Sequence, residues 1–234
     1  MNLLAIDTVT EMASIALLSD VDLLVDEAFV PQQHTKVILP MIQKQMAAAG
    51  LAFNQLDAIA FSRGPGSFTG LRICASITQG LAIAHNLPVI PVSSLAILAQ
   101  GAYREDSNKS HVVACLDARR EEVYWGSFEL KISQGQARIM TLVGEETVIS
   151  PTDVKTEAGG AWHGVGNGFK NYQTELADNT QVHLASIEPE AFPLAQDAML
   201  FAKAAWLNND AVDASLAIPT YLRDNIATPP KNKV

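Results

Sequence analysis

The 234-residue chain predicts an α/β protein in which one pattern occurs twice, giving two lobes with a cleft between them. Three observations carry this expectation. Two stretches, opening near Leu3 and near Val112, each start with an apolar strand that ends in an aspartate, and further strands follow. In each stretch the strands then give way to alternating helical and strand patterns. Between the two, Arg104-Glu-Asp-Ser-Asn-Lys-Ser110 has no apolar period and reads as a boundary, so that 1–108 form one lobe and 109–234 the other.

The first lobe opens with strands at Leu3–Asp7, Ala13–Leu18 and Leu23–Val30, separated by turn-like Thr-Val-Thr-Glu and Ser-Asp-Val-Asp, which predicts an antiparallel meander. A helix is expected over 35–49, with Ile38, Met41, Ile42, Met46 and Ala49 on one face and Gln45 as the polar exception. Gly50 supplies its stop, and Pro40 should kink it or set its first turn. Leu56–Phe61 reads as a buried strand that runs into Ser62-Arg-Gly-Pro-Gly-Ser-Phe-Thr-Gly70, after which a helix continues to about His85. A strand at Val89–Val92 and a helix to Tyr103, capped by Ser93 or Ser94, complete the unit.

In the second lobe, strands are expected at Val112–Asp117, Val123–Leu130 and near Arg138–Val143. A weak helix follows Pro151, then an apolar strand into Gly164-Val-Gly-Asn-Gly168, a short helix near Lys170–Ala177 and a strong helix from Pro193 to Asn208.

Charge and composition narrow the function classes. With 16 basic against 25 acidic side chains the net charge is −9, which works against direct binding of a phosphate backbone. Cys74 and Cys115 lie in apolar runs, as buried free thiols of a reducing cytosol do, and show no paired zinc spacing. The N-terminus has neither a basic leader nor a long apolar stretch, and no run is long enough to cross a bilayer. The expectation is a soluble, cytoplasmic protein without a membrane partner.

Met1-Asn-Leu-Leu-Ala-Ile-Asp-Thr8, Arg63-Gly-Pro-Gly-Ser-Phe-Thr-Gly-Leu-Arg72, Asp117-Ala-Arg119 with Glu122-Val-Tyr-Trp125 behind it, and Tyr221-Leu-Arg223 together resemble the TsaB (YeaZ) family along the length of the chain. The resemblance implies a duplicated two-lobed actin-like (ASKHA, ribonuclease H-like) fold. It also implies a role in making N6-threonylcarbamoyladenosine in tRNAs that read codons beginning with A. The implied role is that of a non-catalytic, activating scaffold for TsaD, with a TsaE-like ATPase as a further partner and a homodimer when the chain is alone. Given the acidic balance, tRNA would be reached through the complex. No intrinsic cofactor is expected, and ATP, ADP or a metal would belong to the complex.

Each candidate residue has a plainer reading beside it. Asp7 and Asp117 end the strands that open the lobes, where actin-like ATPases place phosphate loops, yet Asp also caps ordinary turns. Neither loop has a run of glycines, and Asp7-Thr-Val-Thr-Glu-Met contains no lysine. Gly166, Asn167 and Gly168 stand where the fold would place an adenosine-binding loop, and a tight strand-to-helix turn explains them equally well; with Asp7, Asp117 and Arg119 they are the shared-fold nucleotide positions. TsaD-like catalysts carry a His-x-x-x-His metal pair after the strand that corresponds to Pro88–Val92, whereas this chain has Ser93-Ser-Leu-Ala-Ile97. The five histidines are scattered and read mostly as solvated or capping.

The helix that follows Gly70 is apolar over most of its circumference, with Arg72, Ser76, Thr78 and Gln79 as polar breaks, so burial on more than one side is expected. Ser76, Gly80 and Ala84 at spacing four would admit a second helix. The alternative is burial within one subunit. The resemblance favours an interface, with His34, Met41, Ser67, Arg72, Ser76, Gln79 and Gly80 as its residues. The rival functions are an active actin-like ATPase or kinase, which needs a phosphate loop and a base, and a glycoprotease-type peptidase, against which the missing histidine pair argues.

Overall fold

The computed structural model describes residues 1–20, 22–132, 137–157, 159–179 and 181–223. Asn2–Asp7 (β1), Met12–Ser19 (β2) and Asp22–Phe29 (β3) form the expected meander. His34–Ala48 (α1), Ala58–Gly64 (β4), Phe68–His85 (α2), Val89–Ser93 (β5) and Ser94–Glu105 (α3) follow. The second half contains His111–Arg119 (β6), Glu122–Ile132 (β7), Arg138–Ile149 (β8), His163–Val165 (β9), Gly168–Asn171 (α4), Gln173–Asp178 (α5), Ser186–Glu188 (β10) and Ala195–Leu207 (α6).

The duplication is explicit in the topology. One sheet runs β3-β2-β1-β4-β5 and the other β8-β7-β6-β9-β10, so each strand of the first half has its counterpart in the second. In both sheets the first strand is antiparallel to the second and parallel to the fourth. The expected two-lobed actin-like order is therefore present.

Central strands are buried on both faces, and the period-two geometry of a strand sorts their side chains. Leu4 and Ile6 of β1 meet α1 and α2, while Leu3 and Ala5 meet α6 on the opposite side. On the second sheet Val113, Cys115 and Trp125 face Trp162, Phe169 and Leu176, and Ala114, Leu116 and Phe128 face α3. Helix α3 is buried at every position from Ser94 to Tyr103, because Ile97 packs towards the first sheet and Leu95, Leu98 and Ala99 towards the second. Ser93 caps it.

Several expectations are corrected. The strong helix placed in the second lobe, α6, packs on the first sheet through Ala195, Ala198, Met199 and Ala202, and Asp197 receives Arg104 of α3 at 2.7 Å. After Pro151 there is only a turn, and β10 joins the second sheet where no strand was expected. Of the last segment, Thr220 donates its amide to the Arg63 carbonyl at 2.7 Å, so the chain returns to the first lobe; 224–234 lie outside the described residues. No helix among the described residues is long and apolar enough to cross a membrane.

Candidate functional site

The ends of β1 and β6, the start of α2 and the returning C-terminal segment enclose a cleft of about 760 Å³ between the lobes. Asp7, at the end of β1, is fully buried; Ser62 donates its hydroxyl to the carboxylate, and the Val9 amide donates at 3.0 Å. Burial raises the acid from an ordinary 3.8 to about 7, although both hydrogen bonds oppose the shift.

The glycines that precede and open α2 are fitted to the β1–β2 loop. A Cβ on Gly70 would lie 2.1 Å from the Thr8 carbonyl oxygen, and one on Gly66 2.8 Å from that of Val9. Thr8 donates its hydroxyl to the Gly70 carbonyl at 2.8 Å, and Ser67 caps α2 by accepting from the Gly70 amide. Loop and helix start thus form one interlocked unit.

Asp117 is equally committed, with its side chain 5% exposed. It accepts from the Arg119 amide at 2.7 Å, from Asn171 Nδ2 at 2.9 Å and from the Tyr172 hydroxyl at 3.1 Å, and it pairs with the Arg119 guanidinium at 3.0 Å. Asn167 Oδ1 accepts the Asp117 amide at 2.9 Å. Gly166, at φ +108°, and Gly168 let this loop lie on β6, since their Cβ atoms would fall 2.4 Å from the Cys115 carbonyl oxygen and 2.3 Å from Cys115 Sγ. Asp7, Asp117 and Asn167 thus make intrachain hydrogen bonds, and Gly166 and Gly168 pack on Cys115, as a tight strand-to-helix turn requires. Arg119 and Arg120 remain exposed at the cleft, on a turn with positive φ at Arg119, Arg120 and Glu121.

The residues expected at a partner surface divide. Met41 is 8% exposed and belongs to the core under α1, because the helix turns its Ile38–Met41–Ile42 side to the sheet. His34 is 6% exposed, not solvated, and its Nε2 has no hydrogen-bond partner among the described residues. Arg72, Ser76 and Gly80 form an open stripe on α2, with Ala84 and Ile83 beyond them, and a Cβ on Gly80 would meet nothing within 4 Å. Gln79 is half-buried beside the stripe and reaches the Ser215 carbonyl at 3.5 Å. Among the described residues, α2 meets the first sheet on one side and the Ala214–Leu216 turn beside it, and this stripe is open.

A group that the sequence did not reveal sits at the head of the stripe. The Arg72 guanidinium lies 3.8 Å above the Phe68 ring, Tyr221 packs on Phe68 at 5.7 Å, and Arg72 Nε donates to the Tyr221 hydroxyl at 3.4 Å. Two residues on, Arg223 donates to the Ala118 carbonyl at 3.3 Å and pairs with Glu122, so the segment spans from the first lobe to the second. The Tyr221-Leu-Arg223 string was visible, but its partners are about 150 and 100 residues away.

The tRNA N6-adenosine threonylcarbamoyltransferase (TsaD) family model matches residues 28–231. The tRNA threonylcarbamoyladenosine biosynthesis protein TsaB of Escherichia coli (strain K12) is 36% identical over 230 residues, covering 97% of this chain and 96% of that protein. The protein of the same description from Haemophilus influenzae is 37% identical over 97% of this chain and 95% of its own length. Among solved structures, YeaZ from Pseudomonas aeruginosa is similar with a TM-score of 0.87 at 40% identity, over 94% of this chain and 99% of that one. On these matches, and on motifs that run from β1 to Arg223, the chain belongs to the TsaB family, within the wider family that the TsaD model describes.

Proposed function

We propose that this chain acts in the biosynthesis of threonylcarbamoyladenosine in tRNA as a subunit that makes no bond itself, and that it activates a TsaD-type catalytic subunit by pairing with it through α1 and α2. The observation that carries the pairing is the open stripe of Arg72, Ser76 and Gly80 on a helix whose other side is core. Helices approach to about 8 Å only where the facing side chains are small.

The scaffold reading is supported by the use to which the cleft residues are put. An ATPase or kinase of this fold needs acidic groups free to orient a metal and a nucleophile, whereas Asp7 is buried beneath Ser62 and Asp117 is held by four donors. Nucleotide and metal then belong to the complex, which also includes a TsaE-like ATPase and supplies the contact with tRNA. In the absence of its partners the chain pairs with itself through the same face.

Reconstitution tests this. With a TsaD-type protein, a TsaE-like ATPase, tRNA and the small-molecule substrates present, transfer to tRNA should require this chain, while the chain alone should turn over ATP at background. Undiminished transfer without it, or ATP turnover by it alone, overturns the proposal.

A further inference from the structure

The two lobes touch through contacts of two kinds. The first kind is buried. Helix α3 lies between the two sheets, and Gln100 on it accepts the Met140 amide of β8 at 2.9 Å. Beside its first turn, Glu146 of β8 accepts from the Ser93 hydroxyl and stands 3.6 Å from the Arg63 guanidinium, with its own side chain only 7% exposed. Contacts sealed to this degree open only with the fold itself.

The second kind is a short run of surface chain. Its root is Ala217, buried in the core under α2, and Ile218 next to it is already 59% exposed. From there Thr220 is tied by its amide to the Arg63 carbonyl, and Tyr221 lies on Phe68 with its hydroxyl accepting from Arg72. Arg223 then crosses to the β6–β7 turn, where it donates to the Ala118 carbonyl at 3.3 Å and pairs with Glu122. Tyr221 and Arg223 both line the cleft, so Thr220-Tyr-Leu-Arg223 spans it from one lobe to the other. Phe68 and Tyr221 are 43% and 38% exposed, and the side chains of Arg223 and Glu122 21% and 36%. Stacking and ion pairs at such exposure hold weakly. This bridge can let go while α3 and Glu146 stay in place.

We propose that Thr220–Arg223 is a latch: it fixes the separation of the lobes, and its release lets the second lobe swing about α3 and widens the cleft. Hinge motion around a cleft is a standard transition of two-lobed proteins, with packed elements moving as rigid bodies. Here an arm rooted in the first lobe at Ala217 carries one cation, Arg223, to the second. Freeing that cation detaches the end of the arm without disturbing either core. The hold on the first lobe runs through Arg72, which is exposed on α2.

The test is an interlobe distance. Spin labels on Gln33→Cys, between the cleft-lining Gln32 and His34, and on Thr174→Cys of α5 report it by pulsed electron resonance, with labelled chain diluted into unlabelled chain. Both labelled positions are exposed, whereas Cys74 and Cys115 are buried and stay unlabelled in the folded protein. The parent should give one narrow distribution. Arg223→Ala and Tyr221→Ala should each shift it to longer distances and broaden it while cooperative melting is retained, and a chain ended after Pro219 should shift it furthest. A chain ended after Arg223 should match the parent. Should Arg223→Ala fail to fold, Glu122→Gln removes the same contact from the other lobe. Distributions that keep the parent's position in the substituted chains and in the chain ended after Pro219 overturn the proposal. So does an equal shift in the chain ended after Arg223, because the latch is then not what holds the lobes.

Discussion

Ser62 of β4 donates its hydroxyl to the carboxylate of Asp7 on the neighbouring parallel strand β1, and both side chains are sealed from solvent. The residue that the fold's ATPases would turn towards a metal is here tied to the strand beside it, its acid pushed up to about 7. Burial is the largest influence on it, and burial disfavours the charged form.

A pH prediction follows from the sign of that shift. The folded-state value of about 7 lies above the ordinary 3.8, so the folded chain holds this proton while the unfolded chain has lost it. The contribution of Asp7 to stability is therefore full below about pH 4 and declines as pH rises towards 7, by on the order of 4 kcal/mol over the window. Asp7→Asn should remove this slope and stabilise the protein at pH 7.5. Denaturant melts of parent and variant at several pH values check it; parallel curves would show that Asp7 is not the titrating group.

Arg104 offers a second pH-dependent test. Its guanidinium pairs with Asp197, which is 2% exposed and whose acidity burial weakens more than the pair restores it. Arg104→Met should strand a buried charge and cost about 2–3 kcal/mol at pH 7, less than the full value for a buried pair because Arg104 is itself part-exposed. The deficit should shrink as pH falls and Asp197, its acidity already weakened by burial, takes up a proton. Thermal unfolding of both proteins at pH 7 and at lower pH reads it directly.

Glycine substitutions separate packing from ligand binding in the cleft loops. Gly70→Ala and Gly168→Ala each drive a methyl group into backbone or sulfur at little more than 2 Å, so each should destabilise the chain by about 3 kcal/mol or more. Gly80→Ala, which meets nothing, should leave stability unchanged or raise it by about 1 kcal/mol through helix propensity. Chemical denaturation of the three variants is sufficient.

Ser76→Trp should leave a soluble, cooperatively melting chain, since Ser76 is exposed. A bulky ring on the stripe should remove about 3 kcal/mol or more of association free energy, a weakening above a hundredfold. Sedimentation with and without a TsaD-type subunit measures this, and loss of cooperative melting would mean that Ser76 supports the fold.

Much of the architecture was legible because local chemistry and global fold agree. The β1–β3 meander, the Ser93 cap and the Gly50 stop, at φ +64°, each follow from a few adjacent residues. What was hidden depends on distant packing. Met41 reads identically whether its helix face meets a sheet or a partner, and Asp7 reads as a loop acid until Ser62 closes over it. The three residues of β10, Ser186–Glu188, are too few to show a period, and only pairing with β9 makes them a strand. The pattern of α6 announced a helix but not which sheet it would cover.

That last placement bears on how the molecule is made. Helix α6 closes the side of the first sheet that α1 and α2 leave bare, and its residues are synthesised about 100 positions after the sheet is complete. A nascent chain halted after α3 therefore presents Leu3, Ala5, Ala58 and Ala60 to solvent. The first half thus lacks the cover for one face of its own sheet until α6 has been made.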